Sequence, residues 1–134
     1  MMKYFFYGII LLSFADLGSC KKSSADTINN NYSTVTGKWN YAEYYMGDGV
    51  SVINWQPVTP GKFIDLEANG TFSSNLAPFN TVVNFQLVDS AHIKFYEPSA
   101  QGSHLYFYSL SKNELQLSPA APVCIEGCAQ KFTR

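Results

Sequence analysis

The chain has 134 residues, of which 46% are hydrophobic, 16% aromatic and 14% charged, with a net charge of -1. That length holds one ordinary domain, and so much apolar side chain at so little charge excludes a chain that is disordered throughout. Nine Lys and Arg scattered against ten Asp and Glu leave no basic footprint for a nucleic acid.

In chain order, the first segment reads as an address. Lys3 supplies a positive start, and an apolar run extends from Tyr4 to Ala15. That run is shorter than the roughly 20 residues a membrane-spanning helix needs. Leu17-Gly18-Ser19-Cys20 comes next. It resembles the lipobox of bacterial lipoproteins, with a Leu three residues before a Cys and small residues between. The resemblance implies that residues 1–19 are a signal peptide removed before Cys20. The Cys20 thiol then carries a diacylglycerol and its new amino group a further acyl chain such as palmitate. Cys suits this role because only a thiol is nucleophilic enough near neutral pH, and two or more chains make the anchoring stable where one is marginal. The alternative is an ordinary secretory signal with an incidental Cys. Lys21 stands where an Asp often marks inner-membrane retention in that family, so the analogy points to the outer membrane, facing the periplasm or the cell surface.

Residues 21–35 are dominated by Ser, Asn and Thr without any period. They read as a solvated tether, reaching on the order of 20 Å as a flexible coil. Residues 20–35 are thus the lipidated Cys and its linker, and residues 36–134 the folded domain.

From Thr36 onward the pattern is β, with turn residues recurring and no helical periodicity. Apolar faces set the register of three hairpins. A three-residue Ala68-Asn69-Gly70 loop, with Gly70 left-handed, pairs Leu66 with Phe72. A loop over Asp89-Ser90-Ala91 sets Leu87 opposite Ile93 and Phe85 opposite Phe95. A two-residue Lys112-Asn113 turn sets Leu110 against Leu115 and Tyr108 against Leu117. Each such cross-strand pair adds roughly 0.2–1 kcal/mol. Further strands are expected near residues 38–45, 50–55 and 129–133. Nine candidates, one of the early ones irregular, predict an all-β, up-and-down antiparallel barrel of about eight strands. A two-sheet sandwich is the alternative.

Gly37-Lys38-Trp39 opens the folded part, with Gly70-Thr71-Phe72 and Cys124-Ile125-Glu126-Gly127-Cys128 further along. In this order the features resemble small bacterial lipoproteins with a lipocalin-like domain. The resemblance implies that Trp39 plugs the closed end of the barrel, with Lys131 or Arg134 over its ring as a cation–π partner. An eight-stranded barrel has room inside for its own side chains or for one small ligand.

Cys124 and Cys128, outside the cytoplasm, read as a structural disulfide, with Gly127 letting the short loop bend. A reduced pair and a redox pair are the alternatives, though the latter lacks Cys-x-x-Cys spacing. His92 and His104 are the only histidines and cannot alone build a zinc site. Asp65 and Glu67 share one strand face, and the register turns them outward. Glu43 points inward if the alternation of Trp39 and Tyr41 continues, and outward if a bulge at Ala42 intervenes. No phosphate loop, nucleophile elbow or zincin motif is present, so no cofactor and no catalytic residue is assigned.

These features predict a non-enzymatic binding module for a small apolar or aromatic ligand. Tyr41, Glu43, Phe85, Phe95, Tyr106 and Tyr108 are its expected lining, and Trp39 its floor. The alternative is a structural subunit of a cell-envelope complex with a filled barrel. The outward Phe63, Tyr96, Leu105 and Phe107 would then face a protein partner.

Overall fold

The computed structural model describes residues 34–47, 54–98, 102–125 and 127–134. The expected signal peptide, Cys20 and most of the expected tether lie outside the described residues, as does most of the strand expected at 50–55. Among the described residues there are nine strands: β1 (Gly37–Met46), β2 (Gln56–Pro57), β3 (Phe63–Leu66), β4 (Phe72–Ser74), β5 (Asn84–Leu87), β6 (His92–Tyr96), β7 (Ser103–Ser111), β8 (Glu114–Ala121) and β9 (Cys128–Thr133). A single 3-10 turn, Phe79–Thr81, lies between β4 and β5.

The strands form one antiparallel sheet in the order β4-β3-β1-β9-β8-β7-β6-β5, with the short β2 appended to β1. The two ends of that path meet. Thr71 bridges Asn84, the Phe72 amide donates to the Val83 carbonyl at 2.8 Å, and the Phe85 amide donates to the Gly70 carbonyl at 2.9 Å. The result is an eight-stranded, nearly closed up-and-down barrel, with β2 as the irregular early strand.

The hairpin registers arise from turn chemistry and face alternation. Leu66 pairs with Phe72, and Gly70 has φ 88°, a value that glycine adopts at least cost. Phe85 pairs with Phe95 and Leu87 with Ile93. Tyr108 pairs with Leu117 and Leu110 with Leu115. The inward positions of all these strands merge into one core with Trp39, Ile64, Leu66, Ile93, Phe95, Leu115, Leu117 and Phe132 at its centre.

The floor is built around Trp39, which is fully buried. Its Nε1 donates to the Val35 carbonyl at 2.8 Å. Of the two candidate cations it is Arg134 that covers the ring, with Cζ 3.9 Å from the centroid. Arg134 also donates to the Thr34 carbonyl at 2.5 Å and the Thr36 carbonyl at 3.3 Å. Lys131 lies instead over Trp55, at 4.1 Å. Val35, assigned by composition to the tether, is itself fully buried, so the fold takes in the residues just before Thr36.

Candidate functional site

The pairing order alternates strand direction around the barrel, so β1, β4, β6 and β8 run away from the Trp39 floor. The ends of β4 and β6 and the starts of β5 and β7 therefore gather at the opposite, open end. The β4–β5 connection crosses this end and drops Phe79 into it. Phe79 is 1% exposed, with ring centroids 5.2 Å from Phe95, 5.3 Å from Tyr106 and 6.1 Å from Phe72. Phe95 meets Tyr106 edge-on at 5.5 Å. These aromatic rings fill the upper interior with the tilted and edge-to-face contacts that such rings prefer.

The expected interior lining is accordingly dispersed. Phe85, Phe95, Tyr106 and Tyr108 point inward as read from the alternation, but they are buried against other side chains. Phe95 is fully buried, and the Tyr108 hydroxyl donates to the Asp89 carbonyl at 3.3 Å. Tyr41 is half-buried and packs on Phe132 at 5.3 Å. Burial raises its phenol pKa, against a lowering by the Gln130 side chain and with a smaller rise from Tyr44.

Glu43 requires a correction to the inward reading. The β1–β9 register shifts between Tyr41 and Glu43, so the extra residue, Ala42, forms a bulge that reverses the facing of the residues beyond it. Glu43 stands beside Lys131 on the outer wall and accepts from its Nζ at 2.6 Å. The inward position on which a ligand role for Glu43 depended is not formed.

The open end does carry a pocket, of about 290 Å³. It lies between the Pro78–Val82 stretch and the adjoining ends of β6 and β7. Phe79, Val82 and Tyr106 supply its apolar wall, and Thr81, Glu97 and His104 its polar rim. The Thr81 hydroxyl donates to Glu97 Oε1 at 2.8 Å, and His104 Nε2 lies 3.4 Å from the same oxygen. The hydrogen bond from Thr81, then that with His104, hold the Glu97 carboxyl below the usual carboxylate range. Desolvation raises the Tyr106 pKa. The pocket is thus a neutral aromatic wall beside an ionised carboxylate.

Only Tyr106 among the expected lining residues belongs to this pocket. Thr81 stands near the end of the β4–β5 connection that crosses this end, and it meets Glu97 and His104 because β5, β6 and β7 are neighbours, with Asn84 opposite Tyr96 and Phe95 opposite His104. The sequence signal for that crossing is Phe79, a lone large aromatic in a stretch of Asn, Ala and Pro.

The other candidates lie on the outer wall. His92 Nδ1 contacts the Asp89 carboxylate at 2.8 Å, and its ring packs 4.7 Å from that of Phe107. Asp65 pairs across the sheet with Lys38 and Ser73, and Glu67 is exposed. Among the described residues no group of three or more His, Cys, Asp or Glu side chains is placed to hold a metal. The outward aromatic patch is interrupted by cations: Lys38 Nζ lies 3.9 Å over Phe63, and Lys94 Nζ 5.3 Å over Tyr96. Cys124 and Cys128 form a disulfide with Cα atoms 5.8 Å apart, in the loop leading into β9.

Comparison with family models, with characterised proteins and with solved structures found no match to the chain.

Proposed function

We propose that this protein is a lipid-anchored, non-enzymatic binding module of lipocalin-like type, acylated at Cys20 and held at the outer membrane. Its site takes one small ring-bearing ligand at the open end of the barrel rather than in the interior. The observation that carries the reading is the open-end pocket, with Tyr106 and Phe79 on one side and Glu97 on the other. Ligand sites combine such an apolar wall with a few placed polar groups. Its position adds support. The described chain enters at Thr34, where Arg134 holds it against the floor, so the point of attachment lies at the opposite end of the barrel from the pocket.

Native mass spectrometry of gently extracted protein tests the binding reading. A small molecule that co-purifies with the wild type and is lost from Val82→Trp, which fills the pocket, supports it. Retention of the same molecule by Val82→Trp refutes the location. Incorporation of labelled palmitate that vanishes in Cys20→Ser tests the anchor.

The second reading, a structural subunit, is favoured by one feature. Met46 is 75% exposed and Ile125 95%. Met46 pairs with Cys128, so both sit at the disulfide-closed loop. A stoichiometric protein in the same mass spectra supports this reading instead.

A further inference from the structure

We propose that the open-end pocket selects ligands carrying an amine, and that Gly102 is the positioning residue that makes the selection possible. The inference rests on the binding reading above and adds the chemical class of the ligand.

The pocket offers a carboxylate, not a neutral acceptor. Glu97 extends from the end of β6 back across the β6–β7 hairpin, where its amide donates to the Gly102 carbonyl at 2.9 Å. Thr81 and His104 both address Oε1. Those contacts fix the carboxylate at the rim of a pocket that Tyr106 and Phe79 also line. A protonated amine on a small ring meets two complementary features there. The charged end forms a charge-assisted hydrogen bond to the carboxylate, and the ring lies on the aromatic wall, whose π faces also favour a nearby cation. A carboxylic acid of the same size meets like charge, and an alcohol loses the charge assistance.

Gly102 has a steric role here. A Cβ at that position would overlap the Glu97 carboxylate and come within 2.9 Å of the Glu97 Cβ. Rotating the carboxylate away does not clear the second contact, because side-chain rotation leaves the Cβ in place, so the backbone at Glu97 or residue 102 must shift as well. Glycine at 102 is therefore what allows Glu97 to lie where Thr81 and His104 reach it. The constraint is local and leaves the buried core untouched.

The test uses three probes of similar size on the full chain: benzylamine, benzyl alcohol and benzoate. Binding is followed at about pH 8 through the amide NMR shifts of Thr81, Glu97, Gly102, His104 and Tyr106. In the wild type, benzylamine binds about tenfold tighter than benzyl alcohol, and benzoate binds weakest. Glu97→Gln brings benzylamine and benzyl alcohol within about twofold of each other. Gly102→Ala lowers the ratio with every charged group still present, which a merely structural Glu97 would not do. Rising salt weakens benzylamine but not benzyl alcohol in the wild type, and this arm needs no variant to fold.

Equal binding of the amine and the alcohol, a preference for benzoate, or an unchanged ratio in Glu97→Gln overturns the amine inference and leaves the pocket standing. Binding of none of the three probes overturns the pocket with it.

Discussion

Phe79→Ala separates a barrel plugged by its own connection from one that is filled only by its strands. Phe79 is 1% exposed and touches three other rings, although it belongs to no strand. Truncation empties a volume on the order of 100 Å³, which at about 24 cal/mol per Å³ costs about 2.4 kcal/mol before the lost transfer free energy is added. Phe-to-Ala changes at such sites cost about 3–5 kcal/mol in all. For a domain of this size that lowers Tm by about 15–30 °C. Phe79→Leu keeps most of the volume and costs less than about 1.5 kcal/mol. Urea unfolding read by tryptophan fluorescence measures both, because Trp39 is fully buried and reports on the far end of the same core. Benzene stabilises Phe79→Ala by more than it stabilises the wild type, since the truncation adds apolar space for a ring. A cost below about 1 kcal/mol for Phe79→Ala, with no benzene effect, would falsify the placement of this connection inside the mouth.

At the floor, Arg134→Ala removes the stack on Trp39 and two hydrogen bonds, and lowers stability by about 1–2 kcal/mol. Arg134→Lys recovers part of this in urea titrations, and no recovery would count against the stacking. Reducing the Cys124–Cys128 disulfide, whose partners are four apart in sequence, costs about 2 kcal/mol on the loop-closure estimate, measured as the midpoint shift with and without reductant. Asp89 is held low chiefly by the Ala91 amide, with His92 adding to it, and Glu97 is held low by Thr81 and then His104. Their contribution is therefore complete above the ordinary carboxylate range, near about pH 4, and is lost as pH falls through the lower folded values. The double variant Asp89→Asn, Glu97→Gln accordingly flattens the acid limb of the stability curve. Tyr106 is raised by burial, so its contribution is intact below about pH 10 and is lost as pH climbs through the raised value. Tyr106→Phe postpones base unfolding, and an unchanged base limb would remove Tyr106 as its cause.

The strands were legible because two kinds of local information agreed. Gly70 dictated where the Ala68–Gly70 turn must fall, and the alternation of Phe85, Leu87, Ile93 and Phe95 dictated which faces must meet. A single slipped residue would have turned every one of those side chains to solvent. The bulge at Ala42 was visible only as a choice. Local pattern does not say whether Glu43 breaks the alternation by being buried or by being turned out, and its partner Lys131 lies 88 positions away in the chain. The mouth was not legible at all. Thr81, Glu97 and His104 share no period and no motif. They meet where the start of β5, the end of β6 and the start of β7 lie side by side, with Asn84 opposite Tyr96 and Phe95 opposite His104, and the connection from Ser74 to Asn84 that carries Thr81 has no alternation to set its path.

The pairing of β1 with β9 has a consequence for how this molecule is made. Neighbouring hairpins can zip as they appear, and the seam between Thr71 and Asn84 spans few residues. The opening strand, however, waits beside an empty slot until almost the whole polypeptide has been delivered. Such distant partnering slows assembly and leaves an unsatisfied ribbon edge on show meanwhile, an invitation to strand-swapped neighbours. Losing the final ribbon would leave no smaller cylinder behind, only an unrolled sheet.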